Sequence, residues 1–154
     1  MKQLFLFASA TLLSVSLFAQ GTPAATAGPS QSTKAEDVIK FKELTYDFGK
    51  IKQGTPVTHN FVFTNISNSP VIIESAVPSC GCTTPVKPEG AIMQGKDDKI
   101  QAGFNALNAG PFNKSITIKV AGADLPLQIK ITGEVLTADA YAKYQSEKTN
   151  SPGR

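Results

Sequence analysis

Apolar and polar residues alternate with a period of two over most of the middle of the chain. Leu125, Leu127, Ile129, Ile131 and Val135 form the longest series, opposed by Gln128, Lys130, Thr132 and Glu134. Ile116, Ile118 and Val120 alternate with Ser115, Thr117 and Lys119. Val57, His59, Phe61 and Phe63 share one face of a third run, with Thr58, Asn60 and Thr64 on the other; Val62 marks partial cover there. Successive side chains of an extended backbone point to opposite faces, so this pattern predicts half-buried antiparallel strands. Clusters of turn-forming residues separate the runs: Gln53-Gly54-Thr55-Pro56, Asn68-Ser69-Pro70, Asn108-Ala109-Gly110-Pro111 and Ala121-Gly122-Ala123-Asp124. The predicted strands cover residues 39–48, 57–65, 71–77, 99–105, 112–120 and 125–135, with a short piece at 83–86.

Short strands at this spacing, with no amphipathic helix between them, predict an all-β, Ig-like antiparallel β-sandwich of about seven strands over residues 38–136. A domain of about 100 residues is a common independent unit. The antibody-type signature is missing, because the chain has no Trp and its two cysteines are two residues apart. The sandwich is therefore expected without the inter-sheet disulfide. Its stability then rests on the aliphatic rows and on Phe41, Phe48, Phe61, Phe63, Phe104 and Phe112.

The two ends have a different composition. Lys2 followed by an apolar run from Leu4 to Phe18 reads as a signal peptide over residues 1–19, with Ala19 before the cut. That run is shorter than the roughly 20 apolar residues a membrane-spanning helix needs. No cysteine stands at the cleavage point, so an exported, periplasmic or extracellular protein without a lipid anchor is expected. Residues 20–37, with Gly21, Pro23, Gly28 and Pro29 among Ala, Ser and Thr, read as a flexible linker. Residues 137–154 read as a polar tail or short helix, with Thr137 as its cap and Tyr141 and Tyr144 on one face. The net charge of +3 is too small, and the lysines too scattered, for nucleic acid to be a partner.

Several segments in order carry a family resemblance: Tyr46-Asp47-Phe48-Gly49-Lys50-Ile51, then Gly54, then His59-Asn60-Phe61-Val62-Phe63-Thr64-Asn65, then Ser79-Cys80-Gly81-Cys82-Thr83. The chain resembles, over roughly residues 41–135, the bacterial family called domain of unknown function 1573, which is frequent in Bacteroidetes. The resemblance implies an exported Ig-like domain similar to binding modules of larger assemblies, and no established reaction. One departure is the segment from Met93 to Asp98, where relatives often carry a Pro-Gly turn.

Candidate chemistry is concentrated in Cys80-Gly81-Cys82. In a fully extended strand the two Cα atoms stand about 6.6 Å apart, at the upper limit for a disulfide. Closing the bond therefore needs a bend, which Gly81 permits. Three readings follow. The first is structural, either a local disulfide shaping the loop or two packed thiols. The second is thiol–disulfide exchange, although no Lys, Arg or His flanks the pair and Lys87 is the nearest cation in sequence. The third is a soft-metal site for Cu(I) or Zn, with His59 and Met93 completing the set. No second cysteine pair or histidine cluster accompanies it.

His59, the only histidine, falls on the apolar face and is expected to be a hydrogen-bonded structural residue. Asp47, Phe48 and Gly49 read as a strand-end turn, with Gly81 and Thr83 as further structural residues of the cysteine loop. Asn65-Ile66-Ser67 and Asn113-Lys114-Ser115 fit the glycosylation acceptor pattern. No phosphate loop or nucleophile elbow is present, and a Cys–His nucleophile would require His59 to reach Cys80 or Cys82. The sequence therefore points to a non-enzymatic, cofactor-free module of the cell envelope. Its expected partner is an envelope protein or peptide held through surface or strand-edge contacts. The alternative is a thiol-dependent redox or metal-binding protein.

Overall fold

Eight strands build two four-stranded sheets in the computed structural model, which describes residues 32–150. The strands are β1 (Ile39–Phe41), β2 (Thr45–Lys52), β3 (Val57–Asn65), β4 (Ile73–Pro78), β5 (Thr83–Val86), β6 (Asp97–Phe104), β7 (Gly110–Val120) and β8 (Leu127–Leu136). A short helix α1 (Ala35–Val38) precedes them and a longer one, α2 (Ala138–Asn150), follows. One sheet has the order β1-β3-β6-β5 and the other β2-β8-β7-β4. All pairings are antiparallel except β2 with β8. Phe61, Phe63, Ile100, Ile116, Ile118, Ile129 and Ile131 are fully buried between the sheets. The expected Ig-like sandwich is thus the observed fold, and no disulfide joins its sheets.

The first predicted strand, 39–48, is in fact two strands in different sheets. Phe41 pairs with Phe63 in one sheet, whereas Thr45 pairs with Lys130 in the other. The burial parity changes accordingly, from Ile39 and Phe41 to Tyr46 and Phe48. Parity changes again within β2, where Ile51 is buried in place of Lys50. Its cause is a bulge: the register with β8 shifts between Asp47 and Lys50, and Gly49 has φ +65°. The Asp47 carboxylate accepts the Gly49 N–H at 2.9 Å and closes the extra residue into a loop. Asp47-Phe48-Gly49 therefore lies inside a strand and not at its end.

Other boundaries shift for similar reasons. Leu125, expected in the core row, belongs to the turn before β8 and is exposed. The segment read as linker joins the domain earlier than Val38. Ala35 is buried and its N–H donates to the Leu125 carbonyl at 2.9 Å, while Thr33 and Asp124 exchange bonds of 2.9 and 2.8 Å. One small apolar residue among polar ones gives no periodic signal. The expected signal peptide and the linker up to residue 31 lie outside the described residues. At the other end, the Thr137 hydroxyl accepts the Ala140 N–H at 3.4 Å, and Lys50 Nζ stands 5.0 Å from the Tyr144 ring centroid. Among the described residues, no helix is long and apolar enough to cross a membrane.

The sheet edges are short or obstructed, as open edges invite pairing with other chains. β1 has three residues and β5 four. Asn105 donates its N–H to Cys82, and Ser79 donates to Ser115. By the period of two, Pro85 in β5 and Pro78 in β4 then direct their missing donors outward. The β2 edge carries the Gly49 bulge.

Asp97 joins the start of β6 to the neighbouring strand: the Thr64 hydroxyl donates to it at 2.6 Å, and Lys42 Nζ stands 3.3 Å away. The Thr64 hydrogen bond first, then Lys42, holds its carboxyl below the ordinary carboxylate range. A carboxylate depressed on folding adds stability above its unfolded pKa of about 3.9 and loses it as pH falls through the folded value. The urea midpoint of Asp97→Asn is therefore expected below that of wild type at pH 7. The difference should shrink progressively below about pH 4.

Candidate functional site

Three places carry the side chains singled out from the sequence or the geometry of a binding surface. The first is the turn between β4 and β5. Cys80 and Cys82 are joined by a disulfide, with Cα atoms 5.4 Å apart. The separation is shorter than an extended strand allows because the chain bends and turns over residues 79–82. Four hydrogen bonds hold this turn. Ser79 N–H donates to Ser115 O at 2.8 Å and Ser115 N–H to the Ser79 hydroxyl at 3.1 Å. Thr83 N–H donates to Cys80 O at 3.3 Å and Asn105 N–H to Cys82 O at 3.1 Å. Gly81 is exposed, Cys80 and Cys82 are half-buried, and Thr83 is buried with its hydroxyl 3.8 Å from Cys80 Sγ.

The second place is an aromatic cluster around His59. The imidazole stacks on Tyr46 with ring centroids 3.5 Å apart, and meets the edge of Phe61 at 4.9 Å. Its Nε2 is 2.8 Å from Glu43 Oε1. Phe48, Phe112 and Phe104 extend the cluster into the core. Glu43 thus satisfies the ring's polar edge while its faces pack as apolar surface.

These positions do not assemble into a cysteine–histidine pair or a metal site. His59 lies opposite Ala102 on β6, whereas Cys82 lies opposite Asn105 beyond a second strand spacing. Two strand spacings and three residues put them about 14 Å apart along the sheet. Met93 is exposed beside Lys96 and Gly95, at the Asn65 end of β3. The cysteine turn adjoins Phe104, which pairs with Val57 at the other end of that strand. Among the described residues, no three His, Cys, Asp or Glu side chains are placed to hold one ion.

The third place was not legible from the sequence. β2 begins at Thr45, opposite Lys130, but β8 begins three residues earlier, at Leu127. Leu127, Gln128 and Ile129 pair with β7 on one side only. Beyond them the chain returns as Lys34, which bridges Leu125 in parallel. Between the Lys34 bridge and Thr45 lies a notch of about 330 Å³, lined by Glu36, Leu44, Pro126, Leu127, Gln128 and Lys130 among others. Lys130 donates its N–H to Leu44 O at 2.8 Å, on the β2 side. Two residues earlier, Gln128 directs its N–H and C=O into the notch by the same period. Leu44 and Leu125 are exposed nearby. The only sequence trace of the notch is Pro126 just before the apolar row.

Comparisons with known proteins follow the fold. A family model described as "Protein of unknown function (DUF1573)" matches residues 39–135. The chain belongs to this family. A search of the curated proteins finds no match. Among solved structures, the DUF1573 chain is similar to a protein of unknown function from Porphyromonas gingivalis W83. The two share 16% identity at a TM-score of 0.56, over 64% of this chain and 46% of that one. The present chain therefore spans less than half of that protein's length. It is also similar to the ASH / PapD-like domain 7 of human CEP192, at 14% identity and a TM-score of 0.54, over 83% of this chain and 99% of that domain. A third similar structure is the secreted serine protease VesC from Vibrio cholerae, with 17% identity and a TM-score of 0.53. There the match covers 75% of this chain and 26% of the protease. At these identities the likeness concerns the fold alone, and it places the DUF1573 domain among β-sandwich modules.

Proposed function

We propose that this DUF1573 domain is an exported, non-enzymatic binding module of the bacterial cell envelope. It works without a cofactor and takes an extended peptide segment of an envelope protein as an added strand. The observation that carries this reading is the notch beside β8, where the Gln128 backbone faces outward between Lys34 and Thr45. Main-chain hydrogen bonds to such an edge supply affinity, and side-chain contacts supply selectivity. Three residues unpaired on this side, with the Gln128 N–H and C=O facing out, offer about 10 Å of strand, which accepts three or four peptide residues. Leu44 and Leu127 line the notch as apolar contacts, with Glu36 and Lys130 as charged neighbours. The other edges are shortened, bulged or carry outward prolines, which leaves this interval as the one suited to pairing among those described.

Export is supported by the signal-like residues 1–19 and by a closed disulfide, a bond that persists in oxidising compartments. Peptides selected from a displayed random library against the full chain test the proposal. They are expected to perturb the backbone amide signals of residues 127–129. Gln128→Pro removes the outward N–H without taking a bond from β7, so it should retain the fold and weaken those peptides at least about tenfold. Selected peptides that bind Gln128→Pro as well as wild type would overturn the assignment.

A further inference from the structure

We propose that the Cys80–Cys82 disulfide is a reversible redox site that exchanges with the dithiol of a second protein, and does not staple the fold. The bond links residues two apart within the turn that carries the chain from β4 in one sheet to β5 in the other, so it ties together no segments the backbone does not already join. A cross-link constrains the unfolded chain more as its loop lengthens, so a loop of this size does so least. The backbone of the turn is held without it. Ser79 is bonded to Ser115 in both directions, Cys80 O accepts from Thr83, and Cys82 O accepts from Asn105. None of these hydrogen bonds uses a sulfur, so the backbone can hold the turn in both oxidation states.

Access and chemistry agree with this assignment. Gly81 is exposed, and a carbon added at its Cα would meet nothing within 4 Å. The glycine side of the turn is therefore open to a partner, and Cys80 and Cys82 beside it are only half-buried. On the other side, the buried Thr83 hydroxyl lies 3.8 Å from Cys80 Sγ, placed to donate a hydrogen bond to that sulfur once it is released. Thr83 is thus a positioning residue. The chain has no third cysteine, so the thiol that resolves a mixed disulfide comes from the partner. The substrate class is consequently a protein with two neighbouring thiols.

A partner thiolate attacks one sulfur of the Cys80–Cys82 bond, forming an intermolecular disulfide and expelling the other sulfur as a thiolate, which takes up a proton. The partner's second thiol, giving up its proton, attacks the partner's own sulfur in that mixed disulfide and frees the second cysteine. Two electrons and two protons pass to Cys80 and Cys82, and the partner ends with a disulfide.

The test is equilibration of the full chain with an equal concentration of thioredoxin. Equilibrium is approached from oxidised and from reduced chain, then trapped by alkylation and read by mass. At least about half of the chain is expected reduced, matched by oxidised thioredoxin. A structural disulfide has an exchange constant against thioredoxin of at most about 0.1, which leaves under about one quarter reduced. That result, or no exchange from either side, overturns the proposal. Thr83→Val is expected to lower the exchange constant about two- to tenfold, with Thr83→Ser restoring it. An unchanged constant in Thr83→Val removes Thr83 from the site. The double variant Cys80→Ser, Cys82→Ser should stay folded with a thermal midpoint close to that of the oxidised wild type, and a large drop from that midpoint would show the bond to be a staple.

Discussion

Gly133→Ala is expected to destabilise the domain by about 4 kcal/mol, combining overpacking with backbone strain. Gly133 sits on β8 with φ +153°, and an added Cβ would lie 2.7 Å from Phe112 Cζ and 2.8 Å from the Gly49 carbonyl oxygen. Phe112 is buried and stacked on Phe104 at 4.2 Å, so it has little room to withdraw. Gly49 is the bulged residue of the neighbouring strand, and its carbonyl is fixed by the same bulge that keeps Tyr46, Phe48 and Ile51 inward. The substitution therefore strains two strands at once. Since a domain of this size is stable by only about 5–15 kcal/mol, between about a quarter and four-fifths of the urea midpoint should be lost. An unchanged midpoint would mean that β2 does not approach β8 as described. Gly49→Ala, with nothing within 4 Å of its added carbon, isolates the strain of φ +65° and is expected to cost less.

Asn65→Ala is expected to cost about 3 kcal/mol, from lost buried hydrogen bonds and the void left behind. Asn65 is fully buried and its amide ties the loop after β3 to the segment at Ile92. Its Nδ2 donates to the carbonyls of Ser69 and Ile92 at 2.8 Å, and its Oδ1 accepts the Ser67 N–H at 2.9 Å and hydroxyl at 2.8 Å. Alanine leaves the half-buried Ser67 N–H without that acceptor and takes a donor from each carbonyl. Asn65→Asp keeps the shape and the bonds to Ser67 but turns an oxygen towards two carbonyls. It is therefore expected to unfold at no higher denaturant concentration than Asn65→Ala. A milder loss in Asn65→Asp would show that the donor side of the amide is dispensable. The burial also explains Asn65-Ile66-Ser67 as a structural triplet: no sugar fits on an amide whose two hydrogens are already used inside the fold.

Much of this architecture was legible because strand burial imposes a period that survives in the sequence. The rows of β3, β7 and β8 appear almost residue for residue in the alternation at 57–63, 116–120 and 127–135. The missing apolar residue in the last row falls at Gly133, where Phe112 and the bulge occupy the space a side chain would need. Residues 39–48 read as one continuous strand in the sequence, since hydrophobicity marks burial without saying in which sheet. A change from odd to even burial parity between Phe41 and Tyr46 was its only local trace.

The candidate sites divide in the same way. Cys80-Gly81-Cys82 was visible as chemistry from residue type and spacing alone, and a bend at Gly81 was required by geometry. Grouping those cysteines with His59 and Met93 depended on distances across a sheet, which adjacency in sequence does not encode. The notch at Gln128 depends on where β2 starts relative to β8, a matter of register between segments some 80 residues apart.

By itself, then, the sequence determined a β-sandwich, its core rows, its turns and the place of its two cysteines. All of these follow from local periodicity, turn chemistry and spacing. The tertiary structure alone decided which strands share a sheet, that β2 runs parallel to β8, which edge interval stays unpaired and what surrounds each reactive side chain. Those are outcomes of packing between distant segments, where many residues jointly choose one register and no short stretch carries the choice.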